Sequence, residues 1–353
     1  MQPHAEKVEK MAKQVKQVKL ADIAAIMNVS TVTVSKALSD QKGVSEEMRE
    51  KIKKLAQEMG YRSPSAAKML KTKKNYNIGI LISERLFNQD ESYYLPVYQA
   101  VATKAAAKEC FTLLEVLSLQ REQELEMPKL LQEGTINGLI IIGLLKEDYL
   151  KKLEGVIKVP YVCLDFYDMH HDCDAVISDS FYGMYRMTNY LFDMGHTKIA
   201  YVGTLLYTDS ITDRYFGYCK SLLEHGQRVR EDWVIADRSM ETGDMRSGFE
   251  PKLPEEMPTA FVCNCDLTAA VLVETLRKKG YQVPEDISVV GFDNYLYSSI
   301  CSLGITSYEI DYKEMARRAV NNLIKKMAGD YCKPGLYIVD GRIIYKESVK
   351  RLS

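Results

Sequence analysis

Residues 18–61 read VKLADIAAIMNVSTVTVSKALSDQKGVSEEMREKIKKLAQEMGY. Leu20, Ile23, Ala24 and Met27 fall on one face at helical spacing. Asn28-Val29 interrupts that pattern, and Ser30 is placed to cap a second helix over Thr31 to Leu38. A third helix is predicted after Ser45, with Glu46 and Glu47 in its first turn and Met48, Ile52, Leu55, Ala56 and Met59 as its apolar stripe. Acids suit the positive N-terminal pole of a helix, and Gly60 suits its stop.

Three short helices with a tight break between the first two predict a helix-turn-helix. In that motif one face of the second helix packs inward and the other enters the major groove of DNA. Val29, Val34, Ala37 and Leu38 take the inward positions, which leaves Thr31, Val32, Ser35 and Lys36 outward. Thr31 can exchange a hydrogen bond with a base edge, Val32 can sit against a thymine methyl, and Lys36 can reach guanine or a phosphate. Ser30 and Ser35 can bond phosphate oxygens and set register. An ordinary small helical bundle is the competing reading, against which an exposed Val32 among small polar residues stands out.

Charge points the same way. The chain of 353 residues has a formal net charge of −1, but residues 1–75 hold 16 Lys and Arg against 8 Asp and Glu. The rest holds 31 against 40. A basic head on an acidic body is the asymmetry expected where one end meets a polyanion. Residues 1–17 form a polar, basic extension, residues 18–62 the headpiece, and residues 63–75 a linker. Within the linker Ser65 to Leu70 has room for about two helical turns, too few to be stable alone in water. It is expected to order only with a partner.

From residue 76 the pattern changes. Apolar strand-like runs lie at Ile78–Ile82, Phe111–Leu117, Gly138–Ile142, Tyr161–Leu164, Ile199–Val202, Ala260–Cys263 and Ile287–Gly291. Helical stretches such as Val97–Lys108, Phe181–Met194, Leu267–Lys279 and Tyr312–Met327 alternate with them. This is βαβ organisation around parallel sheets. The number of strands predicts two α/β lobes, with a ligand cleft at the C-terminal ends of the strands. The eight cysteines, several inside apolar runs, read as reduced buried thiols. No signal-peptide core and no run of ~18 apolar residues is present, so a cytoplasmic, reducing location without disulfides or membrane contact is expected.

Taken together, residues 18–61 resemble the DNA-binding headpiece of the LacI/GalR family of bacterial repressors. Later landmarks follow in the family's order: Gly138–Ile142, Met194-Gly195-His196-Thr197-Lys198-Ile199-Ala200-Tyr201, Asp213-Arg214-Tyr215-Phe216-Gly217-Tyr218, and the segment VPEDISVVGFDN from Val283 to Asn294. The resemblance implies a headpiece on a two-lobed, periplasmic-binding-protein-like core. It puts the first lobe at about residues 76–177 and 304–328 and the second at about 178–303 and 329–353. It implies a homodimer on a pseudo-palindromic double-stranded operator, with the linker helix inserting Leu70 into the minor groove as a wedge. Pro64 stands where the family usually has Asn just before that helix, and Pro is tolerated at a helix start. The absence of a heptad repeat after Tyr345 predicts a dimer rather than a tetramer.

The same resemblance implies an effector between the lobes. Position by position, Arg214 matches the family's effector-gripping arginine, Asp293 and Asp165 match cleft acids, and Tyr93 and Tyr94 lie where aromatics line the pocket. Arg, carboxylates and aromatic faces suit a polyhydroxylated ring, hence a sugar or a sugar derivative. Three positions depart from the pattern. Cys265 precedes Asp266 where Asn is frequent, Ile142 ends the third strand where a polar residue is frequent, and no aromatic stands near Gly243.

Enzymatic readings find little. GxGxxG, GxxxxGK[ST] and a nucleophile-elbow pattern are all absent. His170-His171-Asp172-Cys173-Asp174 lacks the spacing of a closed metal site and reads as a solvated turn. Cys263 and Cys265 bracket a strand end and are not expected to hold one metal. No cofactor and no metal are expected. A sugar-binding module of the solute-binding type, without DNA binding, is the second reading, and the headpiece and the missing export signal stand against it.

Overall fold

Leu20–Met27 (α1), Thr31–Leu38 (α2) and Glu46–Glu58 (α3) build the N-terminal unit. The computed structural model describes residues 20–38, 43–59, 76–87, 92–167, 173–240, 243, 251–295, 300–330 and 334–352. The chain divides into two units, residues 1–74 and 75–353. In the first, Ile23 and Ala24 of α1, Val34 and Ala37 of α2, and Ile52 and Ala56 of α3 form one buried core. Leu20, Met27, Met48, Leu55 and Met59 pack half-buried against it, so the periodic stripes do face inward. Asn28 takes φ 51, a left-handed value Asn tolerates better than most residues, and turns the chain between α1 and α2. Ser30 Oγ accepts from the Thr33 amide at 3.1 Å and caps α2.

The second unit runs through Asn77–Ser83 (β1), Tyr94–Ala106 (α4), Phe111–Leu117 (β2), Gly138–Ile142 (β3), Glu147–Glu154 (α5), Tyr161–Leu164 (β4) and Asp174–Ser178 (β5). It continues with Ser180–Asp193 (α6), Ile199–Val202 (β6), Asp209–Glu224 (α7), Val234–Ile235 (β7), Ala260–Cys263 (β8), Asp266–Lys278 (α8) and Ser288–Asp293 (β9). Thr306–Ile310 (β10), Tyr312–Ala328 (α9), Leu336–Val339 (β11) and Gly341–Ile344 (β12) complete it. The strands form two six-stranded sheets, ordered β11-β5-β4-β3-β1-β2 and β12-β10-β9-β8-β6-β7. Every pair is parallel except β10 with β12. The central strands are buried on both faces, as parallel sheets covered by helices require.

Chain order reverses beside β1 in the first sheet and beside β6 in the second. Such switch points leave a crevice at the C-terminal strand ends. The chain crosses between the lobes after β5, after β10 and after β11. This corrects two expected boundaries. Residues 304–310 do not join the first lobe, because β10 pairs with β9 in register Thr306↔Val290. Residues 329–353 do not all join the second, because β11 pairs with β5 in register Leu336↔Ala175.

Helix packing is close where the sequence is small. A Cβ on Gly217 of α7 would stand 2.2 Å from the Phe181 carbonyl oxygen, so Gly217 sets the approach of α7 to α6. His196 is buried between Thr259 Oγ1 and the Lys350 carbonyl, each 3.0 Å away, which ties the start of β6 to the C-terminal segment. Asp174 is buried at the head of β5, accepting from the Gly335 amide at 3.0 Å and pairing with Lys326 at 3.1 Å. It is therefore not part of a solvated turn. His170, His171 and Asp172 lie outside the described residues, as do residues 1–17, Pro64 and Leu70. None of the seven described cysteines is in a disulfide. Among the described residues no helix is long and apolar enough to cross a membrane, and no metal-binding cluster is found.

Candidate functional site

The C-terminal strand ends of both sheets open onto a cavity of about 110 Å³. One water needs roughly 10–15 Å³, so the cavity takes a small molecule rather than a lone solvent. Tyr93, Tyr94, Asp165, Arg214 and Asp293, all five residues expected from the sequence, line it together. Asp165 follows β4, Asp293 ends β9, Tyr93 and Tyr94 start α4, and Arg214 projects from the second turn of α7. Thr208 caps α7 by accepting from the Ile211 amide at 3.2 Å, which fixes the helix that carries Arg214.

Two of the acids sit on unusual backbone. Asp165 has φ 67 and Asp293 has φ 91. Non-glycine residues in that region store strain and cluster where a side chain must be aimed. Tyr94 Oη donates to Asp165 Oδ2 at 3.0 Å, and Asp293 Oδ1 accepts from the Tyr295 amide at 3.1 Å. Burial pushes the Asp165 carboxyl upward, against the pull of Arg214 and the Tyr94 bond. Burial likewise pushes Asp293 up to about 7, with Arg214 again the main opposing influence. The Tyr93 and Tyr94 phenols are driven well above their ordinary value by burial and by the nearby acids. They stay protonated, as donors.

Arg214 is buried with its guanidinium 4.0 Å from the Phe292 ring centroid. Its Nη1 donates to the Asn264 carbonyl at 2.7 Å, while its Nε is buried without a hydrogen-bond partner. The Tyr93 hydroxyl is buried and unpartnered too.

Several lining residues were not anticipated. Arg238 forks onto Asp237, and Asn264 uses its amide on the Val202 carbonyl, Asp237 and Thr268. The only sequence signal was polar residues after an apolar run, and β7, which delivers Asp237 and Arg238, is two residues long. Tyr207 answers the missing aromatic near Gly243: a Cβ on Gly243, at φ 71, would meet its hydroxyl at 1.8 Å. The small residue is what admits the ring. Cys265 caps α8 through its sulfur, 3.5 Å from the Thr268 amide. Ile142 is fully buried in the first core and does not line the cavity.

In the N-terminal unit, Ser30, Thr31, Val32 and Ser35 are exposed and Lys36 is half-buried. Val32 is 61% exposed, a large apolar side chain turned to solvent from a helix whose opposite face is buried. This is the two-faced arrangement a recognition helix needs.

Comparison with known proteins agrees with both parts. The sequence pattern of "Bacterial regulatory proteins, lacI family" matches residues 19–64, and that of "Periplasmic binding protein-like domain" matches residues 188–349. The NTD biosynthesis operon regulator NtdR of Bacillus subtilis (strain 168) is 26% identical over 307 residues, 86% of this chain and 91% of that protein. The HTH-type transcriptional repressor PurR of Vibrio campbellii (strain ATCC BAA-1116) is 25% identical over 334 residues, 93% of this chain and 97% of that one. The solved lac repressor dimer, bound to operator and the anti-inducer ONPF, matches 95% of this chain and 100% of that one, with TM-score 0.66 and 22% identity. The transcriptional regulator CelR in its cellobiose complex matches 94% and 100%, with TM-score 0.64 and 21% identity.

A helix-turn-helix headpiece joined in one chain to a two-lobed α/β core defines a DNA-binding transcriptional regulator, not an enzyme. The chain carries the headpiece pattern of the lacI family of bacterial regulatory proteins and a periplasmic binding protein-like core.

Proposed function

We propose that this regulator binds operator DNA as a homodimer, and that a sugar or sugar derivative held between the lobes sets its operator affinity. The supporting observation is the pair of orphaned polar atoms at the cavity. Tyr93 Oη and Arg214 Nε are buried without partners while Asp165 and Asp293 line the same space. Buried polar groups are nearly always hydrogen-bonded, and a ligand rich in hydroxyls supplies donors and acceptors for all four. Tyrosine faces accept the apolar faces of a sugar ring. The cellobiose bound to CelR and the dimeric state of the operator-bound lac repressor lend the reading weight.

The test is a thermal-shift screen of sugars and sugar derivatives, followed by gel-shift titration of an operator with each hit. A ligand of the folded state raises its melting temperature. Operator affinity that no stabilising sugar changes would overturn the regulatory reading.

On the DNA side, Thr31, Val32 and Lys36 read base edges, Ser30 and Ser35 hold phosphates, and Leu70 wedges the operator centre. Lys36→Ala is expected to weaken specific binding more than random binding, and equal loss makes Lys36 a phosphate contact only. Leu70→Ala is expected to weaken operator binding, and an unchanged gel shift removes the wedge.

A further inference from the structure

Three guanidinium groups line the cavity, those of Arg85, Arg214 and Arg238. At first sight they favour an anionic ligand such as a sugar phosphate. Two of the three are already neutralised. Arg85 Nη2 lies 3.1 Å from Glu122 Oε1, and Glu122 is fully buried, accepting also from Ser83 Oγ at 2.8 Å and the Lys146 amide at 2.7 Å. Arg238 Nη2 lies 2.7 Å from Asp237 Oδ2 and its Nε 3.1 Å from Oδ1. Asp237 is held in turn by the Thr204 amide at 2.9 Å, Asn264 Nδ2 at 2.7 Å and Thr268 Oγ1 at 2.6 Å. Each pair is fixed by its second set of bonds and adds no net charge.

Arg214 remains. Its one hydrogen bond goes to a neutral carbonyl and its Nε has no partner. Against it stand two cavity carboxylates, Asp165 and Asp293. Behind them Asp266 is buried with Oδ1 unpartnered, and burial together with the Asp293 charge raises its proton affinity against the pull of Lys346. When both are ionised, two lining carboxylates to one guanidinium leave a surplus of one negative charge in a buried cavity, a state that a bound cation would favour.

Resting on the sugar reading above, we propose that the cleft selects an aminated sugar, with one ammonium group seated against Asp165 and Asp293. An ammonium brings three donors and no acceptor, the complement of carboxylates that already face protein donors. Charge-assisted bonds of this kind are roughly twice as strong as neutral ones. The groups facing Asp293 are Arg214, Asp165, Asp266, Cys265, the Tyr93 ring and the Tyr295 amide. Among them only Arg214 is cationic. With Asp293 held partly protonated near neutral pH, a cationic ligand ionises it and a proton is released to solvent. A phosphate would meet the opposite field and would find both flanking arginines engaged.

Calorimetric titration of the full chain near neutral pH tests this, using glucosamine and galactosamine, their neutral parents, their N-acetyl forms and a hexose phosphate. Two buffers of different ionisation enthalpy count the protons released. The expected result is that an amino sugar binds about tenfold tighter than its parent, with proton release. Asp293→Asn and, separately, Asp165→Asn should abolish that preference. Asn tolerates the left-handed backbone at both sites, and a thermal melt confirms folding. Equal or tighter binding of a parent, acetylated or phosphorylated sugar overturns the amine while leaving the sugar reading standing. No binding by any member of the panel overturns both.

Discussion

Asp293 shows what burial does to one carboxyl. Its pKa of about 7 in the fold, against an ordinary 3.8, means the folded state keeps a proton that the unfolded chain has released. Its contribution to stability is full below about pH 4 and is lost as pH rises through 7, worth on the order of 4 kcal/mol. His196 works the other way, because burial lowers its pKa below 6.5 and acid then favours the unfolded chain. Asp293→Asn should therefore melt higher than the parent at pH 8 and show a flatter decline between about pH 4 and 7. A variant less stable than the parent at pH 8 refutes this account. Gly243 gives a second test at this scale. Gly243→Ala puts a methyl where the Tyr207 hydroxyl stands, so the ring must leave the cleft. Sugar affinity is expected to fall about tenfold, the loss of one aromatic face, measured by calorimetry on a chain whose DNA binding is unchanged.

Among the elements, α6 and α7 depend on Gly217 for their separation. Gly217→Ala should cost about 1–3 kcal/mol or more, because the opposing atom is backbone and cannot turn aside; urea unfolding reads it. The cap of α2 is milder. Ser30→Ala removes the bond to the Thr33 amide and should cost about 1 kcal/mol of headpiece stability. Elements also show what the sequence could reveal. The central strands β1, β3, β4, β6, β8 and β9 were legible because parallel strands covered on both faces read as unbroken apolar runs. β7 is too short to carry a pattern, and β10 (TSYEI) and the edge strand β12 (GRII) mix polar with apolar residues. Which lobe β10 and β11 join is a question of long-range pairing, and no local pattern encodes it. The five cavity residues were legible through their strand-end and helix-start positions within the family's landmarks. Arg238 and Tyr207 were not, since their roles arise only when distant loops meet.

The whole molecule divides charge between its units, with a net of +8 over residues 1–75 and −9 over the rest. Lys36 is the single long cation on the reading face of α2, so much of the DNA affinity must come from phosphate contacts. Operator affinity is expected to fall with salt on a log–log slope of about −5 or steeper. A nearly flat dependence refutes that division. Removing residues 1–75 should abolish DNA binding and leave sugar binding intact, as measured side by side on the two chains.

The crossing after β11 has a further consequence, for synthesis. β11 and β12 are the outer strands of the two sheets, and the Leu352 amide closes onto Met194 at 2.8 Å. A nascent chain presents its headpiece first, as chains fold in the order they leave the ribosome. Neither lobe gains its last strand until residues 336–344 emerge, and then both gain theirs almost at once. A message broken near residue 330 would yield a DNA-binding head on an unfinished sensor, with the edges of β5 and β10 open to pairing with any neighbouring chain.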